Sequence, residues 1–229
     1  MAPKAIISYD DTVNDRDALM LGRLLSEAGV ELTLAYVRHA TQAQSVREEH
    51  EEHEAEELLE RGAQLLGDLE IERRVIVSPS TAEGLKWLAE QEGADLIVFG
   101  SDYRTAASHV SPQHSTQALL EGGPAAIAIA PASFSTNHVP HIGTIGLLAD
   151  PGDDAAIETA RELADRLGAR LTRDERHVDL LVVGSRSEAP EGRVMIAAHT
   201  QNEIENATFP VLVVARGVPV QFAQPIWTS

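Results

Sequence analysis

The chain has 229 residues, 43% hydrophobic and 24% charged, the balance of a globular protein long enough to build its own core. Its 36 acidic residues outnumber 18 basic ones, giving a formal net charge of −18, which argues against nucleic acid or an anionic membrane as a partner. The absence of cysteine excludes disulfides, cysteine nucleophiles and thiolate metal sites.

In chain order, Ala5 to Tyr9 reads as a short apolar strand ending at Asp10-Asp11-Thr12. A helix follows from about Asn14 to Ala28, with Ala18, Leu21, Leu24 and Leu25 on one face and Gly29 as its stop. Val30 to Val37 is a strand, Gln44 to Leu66 a long helix with an acidic first half, and Ile71 to Val77 a strand. Thr81 to Gln91 is a helix opened by Ser80, and Asp95 to Phe99 an apolar strand ending at Gly100-Ser101. A polar loop over 102–111 leads to a helix from about Gln113 to Glu121 and a last strand from Ala125 to Ala130. Strands separated by helices of this length run parallel, and right-handed crossovers put helices on both faces. The expected fold class is α/β, an open doubly wound parallel sheet.

The polar stretch Phe134 to His141 reads as a linker, after which the pattern repeats in shortened form. Thr144 to Ala149 repeats the first strand, Asp150-Pro151-Gly152 its turn, and Asp154 to Leu167 the first helix, stopped by Gly168. Ala169 to Thr172 opens the second strand, Asp179 to Ser185 repeats Asp95 to Ser101, and Val211 to Val214 repeats Ile127 to Ala130. Asp10 and Gly100 lie 90 positions apart, Asp150 and Gly184 only 34, so the second copy lacks a stretch the length of one strand and two helices. The expected division is 1–132 for the complete copy, 142–217 for the truncated one and 218–229 for a C-terminal tail. A half-domain with few strands leaves an exposed edge, so the two terminal strands are expected to meet as an internal pseudo-dimer. Phe222 and Trp227 of the tail are expected to cover the face left bare by the missing helices.

In a doubly wound sheet, ligands bind beyond the carboxyl ends of the strands where strand order reverses. Asp10 there offers a carboxylate to an adenine amino group or a ribose, and Gly100 lets a ligand approach the backbone. The start of the helix near Gln113 to Thr116 offers N–H groups to a phosphate. The alternative reading is structural: an aspartate at such a turn is a common helix cap, and a glycine after a buried strand is often only a turn.

The segments Ile6-Ile-Ser-Tyr-Asp10, Asp95-Leu-Ile-Val-Phe-Gly-Ser101, Asp179-Leu-Leu-Val-Val-Gly-Ser-Arg186 and Phe209-Pro-Val-Leu-Val-Val214 resemble the universal stress protein family in its tandem form. The resemblance implies a sheet of order 3-2-1-4-5, duplicated with the second copy shortened, often paired through the last strand. It also implies a non-catalytic binding or regulatory role in stress response, with ATP or AMP as the ligand and no required cofactor. The family's nucleotide motif is Gly, two residues, Gly, nine residues, Gly, then Ser or Thr. Carried onto the first copy it falls on Gly100, Tyr103, Gln113 and His114, and on the second on Gly184, Ser187, Ala197 and Ala198, so one glycine of three is kept in each. The implied binding residues are Asp10 and the Val37 backbone at the base, Gly100 and Ser101 beside the backbone, and His114, Ser115 and Thr116 near the phosphates. Two alternatives stand beside this: a ligand-free interaction scaffold that has lost nucleotide binding, and a slow ATP hydrolase, for which no positioned base is visible. Gly100→Val is expected to abolish nucleotide binding and leave the fold intact.

His50 and His53 are three apart in an acidic helix, not the four of a His-Glu-x-x-His zinc site, so no metal is assigned. No P-loop, no Gly-x-Gly-x-x-Gly and no Gly-x-Ser-x-Gly elbow occurs. His138 and His141 are expected to be exposed in the linker. With no long apolar run and no signal-peptide core at the N-terminus, the expected location is cytoplasmic, with a homodimer or unknown proteins as partners.

Overall fold

Alternating apolar strands and amphipathic helices build one sheet with helices on both faces in the computed structural model, which describes residues 2–39, 45–67, 70–136, 141–173 and 177–222, without the side chains of 45–51. The elements are β1 (Lys4–Ser8), α1 (Asp15–Glu27), β2 (Glu31–His39), α2 (Ser45–Leu66), β3 (Glu72–Ser78), α3 (Thr81–Glu92), β4 (Leu96–Gly100), α4 (His114–Leu120) and β5 (Ala126–Ala130). A single 3-10 turn at Phe134–Thr136 is followed by β6 (Thr144–Leu148), α5 (Asp154–Leu167), β7 (Arg170–Thr172), β8 (Leu180–Val183), α6 (Ala198–Asn206) and β9 (Val211–Val213).

Among the described residues the sheet has nine strands in the order β3-β2-β1-β4-β5-β9-β8-β6-β7. The first five strands take the order expected for the family. All neighbours pair in parallel except β5 and β9, which meet antiparallel with Ala128 opposite Leu212. The two terminal strands therefore close against each other, and β3 and β7 are the outer strands. Alternation along each strand divides the core into two layers. Ile7, Val98, Ala128 and Leu212 pack with α1, α2 and α5, whereas Ile6, Ile97, Ile127 and Val213 pack with α3, α4 and α6.

Local sequence explains the helix ends. Ser80 accepts the Glu83 N–H at 3.2 Å to open α3, and Gly93 closes it in the left-handed conformation at φ +62°. Asp153 accepts the Ala156 N–H to open α5, and Gly168 closes it at φ +64°.

The Asp-to-Gly-Ser strand pattern has a structural meaning at both ends. Asp95 Oδ2 accepts the Lys4 N–H at 2.8 Å and Asp179 Oδ2 accepts the Thr144 N–H at 2.8 Å, fixing the start of the neighbouring strand. Ser101 donates its hydroxyl to the Ala130 carbonyl at 2.7 Å, and Ser185 donates to Val214 at 2.7 Å, fixing the end of the next one. The same hydroxyls accept N–H groups from Ser111 and Met195, both at 3.2 Å. The aspartates, the serines and the serines' partners recur at one offset of 84 residues, and the aspartates' partners Lys4 and Thr144 at 140.

The stretch after β5 is docked rather than a free linker over its first residues. Asp17, buried on α1, accepts the Ser133 and Ser135 N–H groups at 2.8 and 2.7 Å, and Phe134 is buried. His138 lies outside the described residues. After β9 the chain packs along α5: Val220 donates its N–H to Thr159 Oγ1 at 2.9 Å, Phe222 donates to Glu162 at 2.8 Å, and both side chains are buried. Trp227 lies outside the described residues.

Candidate ligand cleft

The turn from β1 into α1 carries four carboxyl or amide side chains whose roles differ by burial. Asp10 is exposed. Asp15 is 2% exposed and accepts the Asp10 and Thr12 N–H groups at 2.9 and 2.8 Å. Burial, then a hydrogen bond and charge repulsion from the Asp10 side chain, push the Asp15 carboxyl up to about 8. Burial thus favours the neutral form of this carboxyl, which holds the turn through the two backbone N–H groups. Asp11 sits in the left-handed region at φ +60°, a conformation aspartate tolerates. It accepts the Tyr9 hydroxyl at 3.0 Å and pairs with Arg61 of α2 at 3.1 Å. Burial and this hydrogen bond push the Tyr9 hydroxyl up, so it stays a donor.

Asn14 is buried immediately before α1 but does not cap it. Its amide donates to the Ser101 and Asp102 carbonyls at 3.0 and 2.7 Å, tying the β1 turn to the end of β4. The closeness of that contact explains Gly100. A Cβ there would collide with the Asn14 carbonyl oxygen and stand 2.8 Å from its carbon. The expectation that Gly100→Val leaves the fold intact is thus corrected: the close approach that requires glycine is that of the protein's own backbone.

Asp10 and Val37 are brought together, as expected from the carboxyl ends of adjacent strands. Both line an open cleft of about 730 Å³ between β2, α2 and the start of α3, with Arg38, His39, Glu57 and Arg61. His39 Nε2 lies 3.1 Å from the Thr81 hydroxyl on its rim. Gly100, Ser101, His114, Ser115 and Thr116 do not line this cleft. Gly100 and Ser101 are buried at the end of β4, with the Ser101 hydroxyl committed to Ala130.

The loop over 101–113 is folded onto the protein. Asp102 N–H donates to the Ser111 carbonyl, Thr105 to Asp102, Ser108 to Ala132, His109 to Ala106 and Val110 to Ala207, at 2.7 to 3.1 Å. Arg104 N–H is taken by the Asp102 side chain at 2.9 Å. The Gln113 amide lies 3.5 and 3.4 Å from the Gly100 and Ser101 carbonyls. Tyr103 is exposed, with the Arg104 guanidinium 4.9 Å from its ring centre. The helix that follows, α4, has seven residues. His114 is exposed, Ser115 half-buried, and Thr116 fully buried with its hydroxyl unpartnered.

In the second half, Asp150 and Asp153 line a separate cavity of about 500 Å³ with Asp154, Glu158, Glu191 and Arg216. Asp153 packs its carboxylate against Gly184, and burial pushes its pKa up. Arg216 is held there by the Ala189 carbonyl at 2.8 Å.

The residues that sequence reasoning missed are Asn14, Asp15, Asp17 and Arg61. Polar residues in a turn read as solvated from composition alone. Only the three-dimensional return of β4 and of the post-β5 segment gives Asn14 and Asp17 their partners. Among the described residues no group of three metal-capable side chains converges, and the His50 side chain lies outside them. Among the described residues no helix is long and apolar enough to cross a membrane.

The profile of the universal stress protein family matches residues 4–129, more than half of the chain. A universal stress protein from Archaeoglobus fulgidus DSM 4304 superposes with a TM-score of 0.71 at 15% identity, covering 93% of this chain and 98% of that one. A putative universal stress protein from Pseudomonas aeruginosa UCBPP-PA14 gives 0.58 at 13% identity, covering 93% of each chain. A functionally unknown protein from Pseudomonas aeruginosa PAO1 gives 0.59 at 13% identity, covering 94% of this chain and 93% of its own. These likenesses are of fold, and they extend through both halves of the sheet. No curated protein matches the chain. The strand order, the Asp-to-Gly-Ser strands and the match over 4–129 agree: the chain belongs to the universal stress protein family.

Proposed function

We propose that the chain is a non-catalytic, cytoplasmic binding protein of stress response that takes an adenine nucleotide, ATP or AMP, by its nucleoside end in the first half. The observation that carries this reading is the cleft of about 730 Å³ in which Asp10 and Val37 stand together. It lies at the carboxyl ends of β1 and β2, on the side of the sheet where ligands of open α/β folds bind. Asp10 supplies an acceptor for an adenine amino group or ribose hydroxyls, and the Val37 strand end supplies backbone groups for the base. The carboxyl with the most raised pKa, Asp15, is buried beneath the turn and bonded to backbone, which speaks for a structural rather than a proton-transfer role. The recurrence of the serine and aspartate contacts across β4 and β8 supports a tandem origin, with the antiparallel β5–β9 pair as an internal pseudo-dimer.

Calorimetric titration of the full chain with adenosine and ATP tests the reading. Binding in the micromolar range, weakened at least tenfold by Asp10→Ala, is the expected result. Asp10 is exposed, so this variant removes its side-chain contact with Asp15 and no apolar core side chain. Affinity unchanged by Asp10→Ala sinks the site. The second reading, a scaffold that no longer binds nucleotide, is favoured by the internally bonded loop over 101–113, and absence of any binding selects it.

A further inference from the structure

The geometry points to a cleft that recognises the nucleoside and rejects the phosphates, so that adenosine binds at least as tightly as AMP and more tightly than ATP. This rests on the adenine reading above. A ligand with its base between Asp10 and Val37 runs onward into the crevice between the ends of β1 and β4, because β4 is the next strand over. A phosphate there needs free backbone N–H groups and positive charge.

The loop over 102–110 spends its amides internally, and the cleft's arginines stand beside carboxylates. The amides of Asp102, Thr105, Ser108 and Val110 donate to carbonyls of the same protein. The ends of the crevice are bridged by Asn14, whose amide holds the Ser101 and Asp102 carbonyls, and overlaid by the Gln113 amide. The Gly100 peptide is covered by the Asn14 backbone. Of the cations lining the cleft, Arg61 is already paired with Asp11, and Arg38 shares the lining with Asp10, Glu54 and Glu57. The chain as a whole carries −18. Each added phosphate therefore brings charge repulsion that the amides of the 102–110 loop, already bonded within the protein, do not offset.

The test is a comparison of adenosine, AMP and ATP on the full chain by calorimetry, at about 50 and about 200 mM salt. The expected order is adenosine tightest and ATP weakest by tenfold or more, with the gap narrowing at high salt because repulsion is screened. Gln113→Gly, which clears one amide from the crevice, is expected to raise the ratio of ATP to adenosine affinity severalfold. Tighter binding of ATP than of adenosine overturns this inference and leaves the adenine reading standing. A ratio unmoved by Gln113→Gly overturns the role given to that side chain. Absence of binding by all three overturns both readings together.

Discussion

Replacing Asp15 by asparagine should stabilise the protein, and by more at high pH than at low. Asp15 is 2% exposed, and its carboxyl is raised from 3.8 to about 8, first by burial and then by the Asp10 side chain. A carboxyl whose folded pKa lies above its unfolded value binds its proton more tightly when folded. Its share of the stability is complete below about pH 4 and is lost as pH climbs through 8. Between those limits the loss approaches about 1.4 kcal/mol per pH unit. Asparagine is neutral in both states and escapes this loss. Its carbonyl can accept the Asp10 and Thr12 N–H groups that Asp15 Oδ2 accepts now, and its amide can face Asp10 where the acid proton does. Urea unfolding of both proteins at pH 5, 6.5 and 8 measures the difference. The gap between the variant and the natural protein should widen steadily with pH. Parallel curves would refute the buried neutral acid, and so would a variant less stable at pH 8.

Two glycines at equivalent strand ends should respond differently to alanine. Gly100→Ala forces its methyl against the Asn14 backbone and should cost about 3 kcal/mol, whereas Gly184→Ala meets the Asp153 carboxylate, a side chain that can turn away, and should cost under half of that; thermal unfolding that ranks them in reverse contradicts the close approach. Asp17→Ala removes a buried carboxylate that accepts two partly buried N–H groups and should cost about 3 kcal/mol, while Asp17→Asn keeps one acceptor and should cost about half as much. Equal losses in denaturant unfolding would mean that the Ser133–Ser135 segment takes its N–H partners elsewhere.

Much of this fold is legible because it rests on periodicity and repetition. The unbroken apolar runs at Leu96–Phe99 and Ala126–Ala130 announce central strands buried on both faces, and β4 and β5 are buried throughout. The likeness of Ile127–Ala130 to Val211–Val214 marks two matching strand ends, and those strands pair. Boundaries shift by a residue or two, as at β2, which runs to His39 rather than Val37 and so brings His39 to the cleft rim beside Thr81. The docked turn at Phe134–Thr136 was hidden because its anchor, Asp17, lies more than 100 residues earlier on a helix whose acidic first turn reads as solvated.

The candidate site was legible in unequal parts for a physical reason. Asp10 and Val37 are found by position, since any residue at the carboxyl end of adjacent parallel strands faces the same crevice. The state of the crevice beyond them depends on where amide groups point, and motif spacing carries no trace of that. Losing a glycine at 103 or 113 says that a side chain is present, not what it does. The structure gives Gln113 the Gly100 and Ser101 carbonyls and leaves Tyr103 exposed beneath Arg104, so two departures from one motif have opposite consequences. The departure at 113 occupies the crevice, and the departure at 103 does not. Glycine restored at 113 should therefore change ligand preference more than glycine restored at 103. Equal effects of the two on the ATP to adenosine ratio would mean that the backbone of the loop, rather than the Gln113 amide, sets what the cleft accepts.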